Sequence, residues 1–236
     1  MRHLRAIGTV AYMGGVMAVP EPFCWSWGAM REYTSQALCQ DDEFIHFDRT
    51  NKSEHSFARN EIASRFLGDW LLMFDTDLTF EPDTAARLVR YALLNDLDVV
   101  TGLYVYKSGM IKLPVLHMWS EEKGRHEIVG DWDEHVDLFE VHSGGAGCLL
   151  VRRRVFERLA ELKDPPFGII PPYSEDHSFF RRCRQLGIKI FCAWRVQCGH
   201  LRYEAEHLNP ADRIRENYQL TPHCVQGITE GATAQI

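Results

Sequence analysis

Apolar positions along the first hundred residues fall into two alternating patterns. Short, nearly unbroken apolar runs at residues 6–12, 43–47, 70–74 and 99–105 predict strands. Between them, Phe23, Trp27, Met30, Thr34 and Leu38 recur at three-to-four spacing and predict a helix over 23–38. Ala58, Ile62 and Phe66 predict a second helix over 54–67. Pro82 opens a third through Asn95, with Ala85, Leu88, Val89 and Ala92 facing inward. Strands alternating with helices predict a parallel sheet covered on both faces. The run 70–74, followed by polar residues, suits the centre of that sheet.

The second half is less regular. Residues 110–138 read as an excursion near a site, 149–151 as a buried strand, 153–162 as a short helix and 165–173 as a Pro-rich loop. Ser174 is expected to cap a helix to Leu186, ended by Gly187, with a strand over 188–194. The pattern weakens after about residue 204 and 227–236 reads as a loose tail, so the expected division is a domain over 1–208 and an extension over 209–236.

Composition narrows the class. In 236 residues there are 26 Lys and Arg against 33 Asp and Glu, a net charge of −7, which argues against a protein that coats nucleic acid. At 45% hydrophobic and 25% charged, the chain is neither disordered nor fibrous as a whole. No apolar run approaches the roughly 20 residues that span a bilayer. Arg2 and Arg5 ahead of residues 6–20 have the outline of a secretion signal, but Thr9, Tyr12 and three glycines interrupt it, and a first strand is the better reading. Seven irregularly spaced cysteines (24, 39, 148, 183, 192, 198 and 224) without a C-x-x-C pair suggest reduced thiols and a cytoplasmic location.

Candidate chemistry begins at Asp75-Thr76-Asp77, directly after the central run. Ligands of open α/β sheets sit beyond the carboxyl ends of strands, and hard carboxylate oxygens suit Mg²⁺ or Mn²⁺. The same spacing at Asp96/Asp98 and Asp131/Asp133 lacks a preceding buried strand and reads as solvated turns. Glu175 and Asp176 open a predicted helix, where acids are favoured anyway; beside a metal site a carboxylate there also suits a general base. His200, after Gly199, stands where a strand end returns to the edge carrying Asp77, and two carboxylates plus an imidazole make a plausible metal set. Gly144-Gly145-Ala146-Gly147 is a tight turn or a backbone that a sugar approaches closely. Neither a dinucleotide-binding nor a P-loop pattern is present. Basic clusters at 152–154 and at Arg181, Arg182 and Arg184 are solvated faces or a contact for DNA.

Five segments together resemble the GT-A-fold glycosyltransferases, family-2-like and close to phage or actinobacterial stand-alone members. They are Ala58-Arg59-Asn60, residues 70–77, residues 143–151, Ser174-Glu175-Asp176 and Gly199-His200, in the family's order. The resemblance implies a single-domain, GT-A-like (Rossmann-like), mostly parallel sheet with helices on both faces. It implies a nucleotide-diphospho-sugar donor, a divalent ion (Mn²⁺ or Mg²⁺) and a hydroxyl acceptor, either a glycan or small molecule or a hydroxylated base in phage-type DNA. By the same resemblance Asp75 lies near the ribose, Asp77 and His200 with Asp75 form the metal set, Asp176 is the base with Glu175 next to it, and Ala11, Tyr12, Arg59, Thr76, Gly144 and Gly145 contact the donor. The rivals are a sugar-phosphate nucleotidyltransferase, for which residues 13–20 lack the basic loop, and a non-catalytic nucleotide-sugar or glycan-binding protein.

Overall fold

A computed structural model describes residues 4–14, 19–107, 113–130, 136–201 and the backbone of 207–208. Gly15, the Asp131/Asp133 pair, Cys224 and the expected tail at 209–236 lie outside the described residues. In chain order the elements are β1 (Arg5–Met13), α1 (Glu21–Leu38), β2 (Glu43–Thr50), α2 (His55–Arg65), β3 (Trp70–Asp75), β4 (Leu78–Phe80), α3 (Thr84–Leu94) and β5 (Val99–Leu103). There follow β6 (Leu116–Ser120), β7 (Arg125–Ile128), β8 (Phe139–Val141), β9 (Ser143–Gly144), β10 (Cys148–Arg152), α4 (Arg153–Leu159), α5 (Glu175–Gln185), β11 (Ile190–Leu201) and β12 (His207–Leu208).

The main sheet runs β12-β11-β5-β10-β3-β1-β2. β1 is parallel to both β2 and β3, and β5 to β11, whereas β10 lies antiparallel between β3 and β5. Alternate side chains of β3 feed the two faces: Leu71 and Met73 join α2, α4 and α5 in one core, and Trp70, Leu72 and Phe74 join α1 and α3 in the other. Burial on both faces explains why β3 reads as a continuous apolar run.

Several expectations change. α3 starts at Thr84 with Asp83 in the capping position, not at Pro82. Ser174 occupies the N-cap of α5, but its hydroxyl donates to Asp176 Oδ1 rather than capping the backbone. The irregular stretch 110–138 contributes to a separate three-stranded sheet, β7-β6-β9. The largest change concerns the last strand. β11 does not end at 194 but continues through His200; after a register shift between Ala193 and Gln197 it pairs once more with β5, at Gln197, and from Cys198 with β4. β4 itself, three residues long, is too short to register as an apolar pattern.

Three arginines of the basic clusters are engaged in contacts within the chain. Arg153 donates to the carbonyls of Gly68 and Phe66, Arg154 pairs with Asp96 and Asp98, and Arg182 is buried against the Gly168 carbonyl. Asp96 and Asp98 are thus ion-pair partners at the sheet's end rather than free turn acids. The described cysteines carry no disulfide, and four of them (148, 183, 192 and 198) are buried. Among the described residues, no helix is long and apolar enough to cross a membrane.

One glycine is required by the entry into β3. Gly68 has φ +79°, and a Cβ there would stand 2.2 Å from the Gly8 nitrogen and 2.3 Å from the Ile7 carbonyl carbon. Gly68→Ala is expected to lower stability by roughly 1–3 kcal/mol, measured as a reduced urea midpoint with unchanged m-value.

Candidate active site

The carboxyl ends of β1, β2 and β3 surround an open pocket. Met13 contributes from β1, Lys52 and Ser53 from the turn after β2, His55 and Ala58 from α2, and Asp75, Thr76 and Asp77 from the end of β3. Glu54 starts α2 by accepting hydrogen bonds from the Ser56 and Phe57 amides at 3.0 and 2.8 Å. Asn60, one residue past Arg59, accepts from the Phe167 amide and ties the Pro-rich loop to this helix.

Arg59 lies beneath the pocket rather than in it, at 1% exposure. Its Nη2 donates to both Asp75 oxygens at 2.8 and 3.1 Å, and its Nη1 hydrogen-bonds Glu175 Oε1. Burial would favour losing its proton, but the charges of Asp75 and Glu175 outweigh this and raise its pKa. The expected donor contact is therefore a buried ionic brace. Glu175 is bound to it, and burial, opposed by Arg59 and reinforced by Asp176, raises the Glu175 pKa.

Asp77 and His200 come together. Asp77 Oδ2 faces His200 Nε2 at 3.6 Å, and the Asp77 carbonyl accepts from the Leu201 amide at 2.8 Å, locking the turn after β3 onto the end of β11. His200 Nδ1 lies 2.6 Å from the Val105 carbonyl, so Nδ1 carries the proton and, in a neutral ring, Nε2 presents its lone pair to the carboxylate. A carboxylate oxygen and an imidazole nitrogen 3.6 Å apart are within the span of two ligands each about 2.1 Å from one ion. Asp75, with its oxygens on Arg59, is not drawn into this pair. Among the described residues, no group of three or more His, Cys, Asp or Glu could hold a metal ion, so the expected three-residue set is reduced to Asp77 and His200. Lys107 also hydrogen-bonds Asp77 Oδ2. Burial would raise the Asp77 pKa, but His200 and Lys107 hold it well below the usual carboxylate range.

Asp176 begins α5 next to the brace. Among the described residues every hydrogen bond to its carboxylate falls on Oδ1: from the Ser174 hydroxyl, from the His177 amide at 2.7 Å and from the His177 ring at 3.2 Å. Burial alone would raise its pKa; His177, Arg59 and Ser174 hold it well below the usual range. The second sheet closes over this end of α5, bringing the rings of His117 and His126 to 4.9 and 6.2 Å from that of His177. Tyr106 Oη lies 2.9 Å from His117 Nε2.

Of the expected donor contacts, Ala11, Gly144 and Gly145 are buried, whereas Tyr12 is half-buried. Ala11 is wholly buried in the core. Tyr12 packs edge-on against Phe23 and Trp27, with ring centroids 5.3 and 4.9 Å away. Gly144, in β9 of the second sheet, and Gly145 after it are both buried; a Cβ on Gly145 would meet Tyr104 Oη at 1.8 Å. Gly145 and Gly147 admit Tyr104, whose hydroxyl accepts from the Gly147 amide at 3.0 Å, and the buried Gly144 and Gly145 offer little surface to a sugar.

The family profile described as Glycosyl transferase family 2 matches residues 26–160, more than half of the chain. The chain belongs to this family. No curated protein sequence matches significantly. The crystal structure of GalNAc-T7 with UDP, GalNAc and Mn²⁺ aligns with a TM-score of 0.57 at 14% identity, over 84% of this chain and 44% of that one. The crystal structure of A197 from STIV aligns with a TM-score of 0.47 at 16% identity, over 90% of this chain and 99% of that one. The main sheet and its helices are the GT-A arrangement.

Lys52, Ser53, His55, Tyr104 and Lys107 of this family-2 domain were not legible as site residues. Lys52, Ser53 and His55 stand in a turn and first helical residue without a motif, and Tyr104 and Lys107 follow β5 as ordinary strand-end residues.

Removing the brace leaves two partly buried carboxylates without their counter-charge. Arg59→Ala is expected to cost roughly 3–5 kcal/mol in denaturant unfolding. The histidine cluster supplies a pH dependence. Burial, then the charges of His177 and His126, push His117 down to about 3; burial, then His177 and Arg184, push His126 down to about 4. Each ring is neutral when folded and titrates near 6.5 when unfolded, so the unfolded state binds more protons as pH falls below about 6.5. Stability should drop by up to roughly 1.4 kcal/mol per pH unit per ring down to pH 4. Glu175, with its raised pKa, acts in the opposite sense at the low end. Urea unfolding between pH 7 and 4 should show a shallower slope in His117→Gln than in the parent protein.

Proposed function

We propose that the chain transfers a sugar from a nucleotide-diphospho-sugar, such as a UDP-hexose, to an acceptor hydroxyl, with inversion. The observation that carries this reading is the convergence of Asp77 and His200 beside the pocket at the carboxyl edge of the sheet. Those two residues would hold a Mn²⁺ or Mg²⁺. When bound, such an ion supplies positive charge to the diphosphate that leaves. The donor nucleotide lies in the pocket bounded by Lys52, Ser53 and His55, where a lysine and the start of α2 favour an anionic ligand.

Asp176 is the base in this reading. Its Oδ1 is held by Ser174 and His177, which leaves Oδ2 to take the acceptor proton as the acceptor oxygen bonds to the anomeric carbon and the bond to the diphosphate breaks. A depressed pKa keeps it ionised at neutral pH. Glu175, tied to Arg59, positions the helix that carries it. The acceptor is a glycan, a small molecule or a hydroxylated base of phage-type DNA, the domain runs over 1–208, and the protein works in the cytoplasm. The engagement of Arg153, Arg154 and Arg182 with partners in the chain favours the glycan or small molecule over DNA.

Nucleotide sugars screened for Mn²⁺-dependent hydrolysis, followed by acceptor profiling with the best donor, test the activity. Absence of hydrolysis and transfer with every donor, while a nucleotide still binds, would favour a binding protein instead. Asp176→Asn should reduce transfer by roughly 10²–10⁴-fold with donor affinity retained by calorimetry. Transfer near the parent rate would make Asp176 only a helix-start acid.

A further inference from the structure

Lys107 stands four residues beyond the end of β5, and its ammonium hydrogen-bonds Asp77 Oδ2. That is the same oxygen that faces His200 Nε2 at 3.6 Å. The lysine and aspartate side chains are 34% and 40% exposed, so the pair stands open to solvent, and Asp77 also lines the pocket. His200 is fixed from behind by the Val105 carbonyl and cannot turn its Nε2 away without losing that bond. An ammonium and a divalent ion at contact distance from one carboxylate oxygen repel each other, so each weakens the other's hold on it.

We propose that Lys107 is the site's tethered cation: its ammonium occupies Asp77 Oδ2 while no metal is bound, and a divalent ion binds there in competition with it. This rests on Asp77 and His200 being the metal residues. It assigns Lys107 the control of metal affinity: loading takes place against an internal competitor of fixed, high local concentration. The two carboxylates at the end of β3 are then both neutralised in the metal-free protein, Asp75 permanently by the buried Arg59 and Asp77 exchangeably by the exposed Lys107.

The test titrates the full chain with Mn²⁺ alone, without nucleotide, following free Mn²⁺ by its electron paramagnetic resonance signal. Lys107→Met, which keeps the stem and removes the charge, should bind Mn²⁺ roughly five- to tenfold more tightly than the parent protein. Lys107→Arg, which keeps the charge, should stay near the parent value. Lys107→Gln serves in place of Lys107→Met if circular dichroism shows the methionine variant misfolded. Asp77→Asn should lose binding in either background. If the charge-removing variants bind Mn²⁺ no more tightly than the parent while Asp77→Asn still loses it, the competition is refuted and the metal assignment stands. If Asp77→Asn binds as tightly as the parent, the metal assignment fails and the competition fails with it.

Discussion

The buried guanidinium of Arg59 joins three parts of the chain, β3, α2 and the start of α5, by charge as well as by their shared core. It sits in α2, one turn after His55, and binds Asp75, 16 residues away, and Glu175, 116 residues away. A lone buried cation is costly, and two carboxylates at hydrogen-bond distance offset that cost. The Arg59 Nε finds no partner, so the whole arrangement depends on the two Nη groups and their acids. Asp75 thereby fixes the end of β3, from which Asp77 projects two residues later, and Glu175 fixes the first turn of α5, from which Asp176 projects. The acid of the pocket and the acid of the helix are held in one frame by a residue that touches neither donor nor acceptor in the reading above.

The other half of the frame is the course of β11. Paired with β5 over its first four residues, it shifts register before Gln197, which still pairs with Leu103, and then pairs with β4 from Cys198. Without that shift the strand would continue along β5, and His200 would not lie opposite Leu78 and next to Asp77. The short strand β4 is therefore a site element: it clamps the turn 75–77 against the strand that brings the imidazole.

The charges around the pocket divide by exposure. Arg59 is inaccessible and its ion pairs belong to stability; Lys107 is accessible, as its proposed exchange with a metal ion requires. A net charge of −7 thus coexists with a pocket in which each strand-end carboxylate already has a basic partner. On the far side of α5, the rings of His117 and His126 are pushed toward the neutral form by burial, so the wall behind Asp176 carries little positive charge at neutral pH.

Local periodicity determined the α/β class, most element positions and the placement of Asp75 and Asp77 at the end of the central strand, because apolar spacing and strand ends are properties of neighbouring residues. The ordered motifs were enough to indicate the family. Tertiary structure alone decided the rest. β10 is antiparallel, yet a strand buried on both faces has the same apolar run in either direction. Arg59, in a motif that suggested a donor contact, became a buried brace because Glu175 arrives from 116 residues away. Gly145 admits Tyr104 rather than a sugar, and Lys107, unremarkable in sequence, reaches Asp77 across 30 residues. Each of these turns on a contact between distant segments, and no spacing along the chain encodes such a contact.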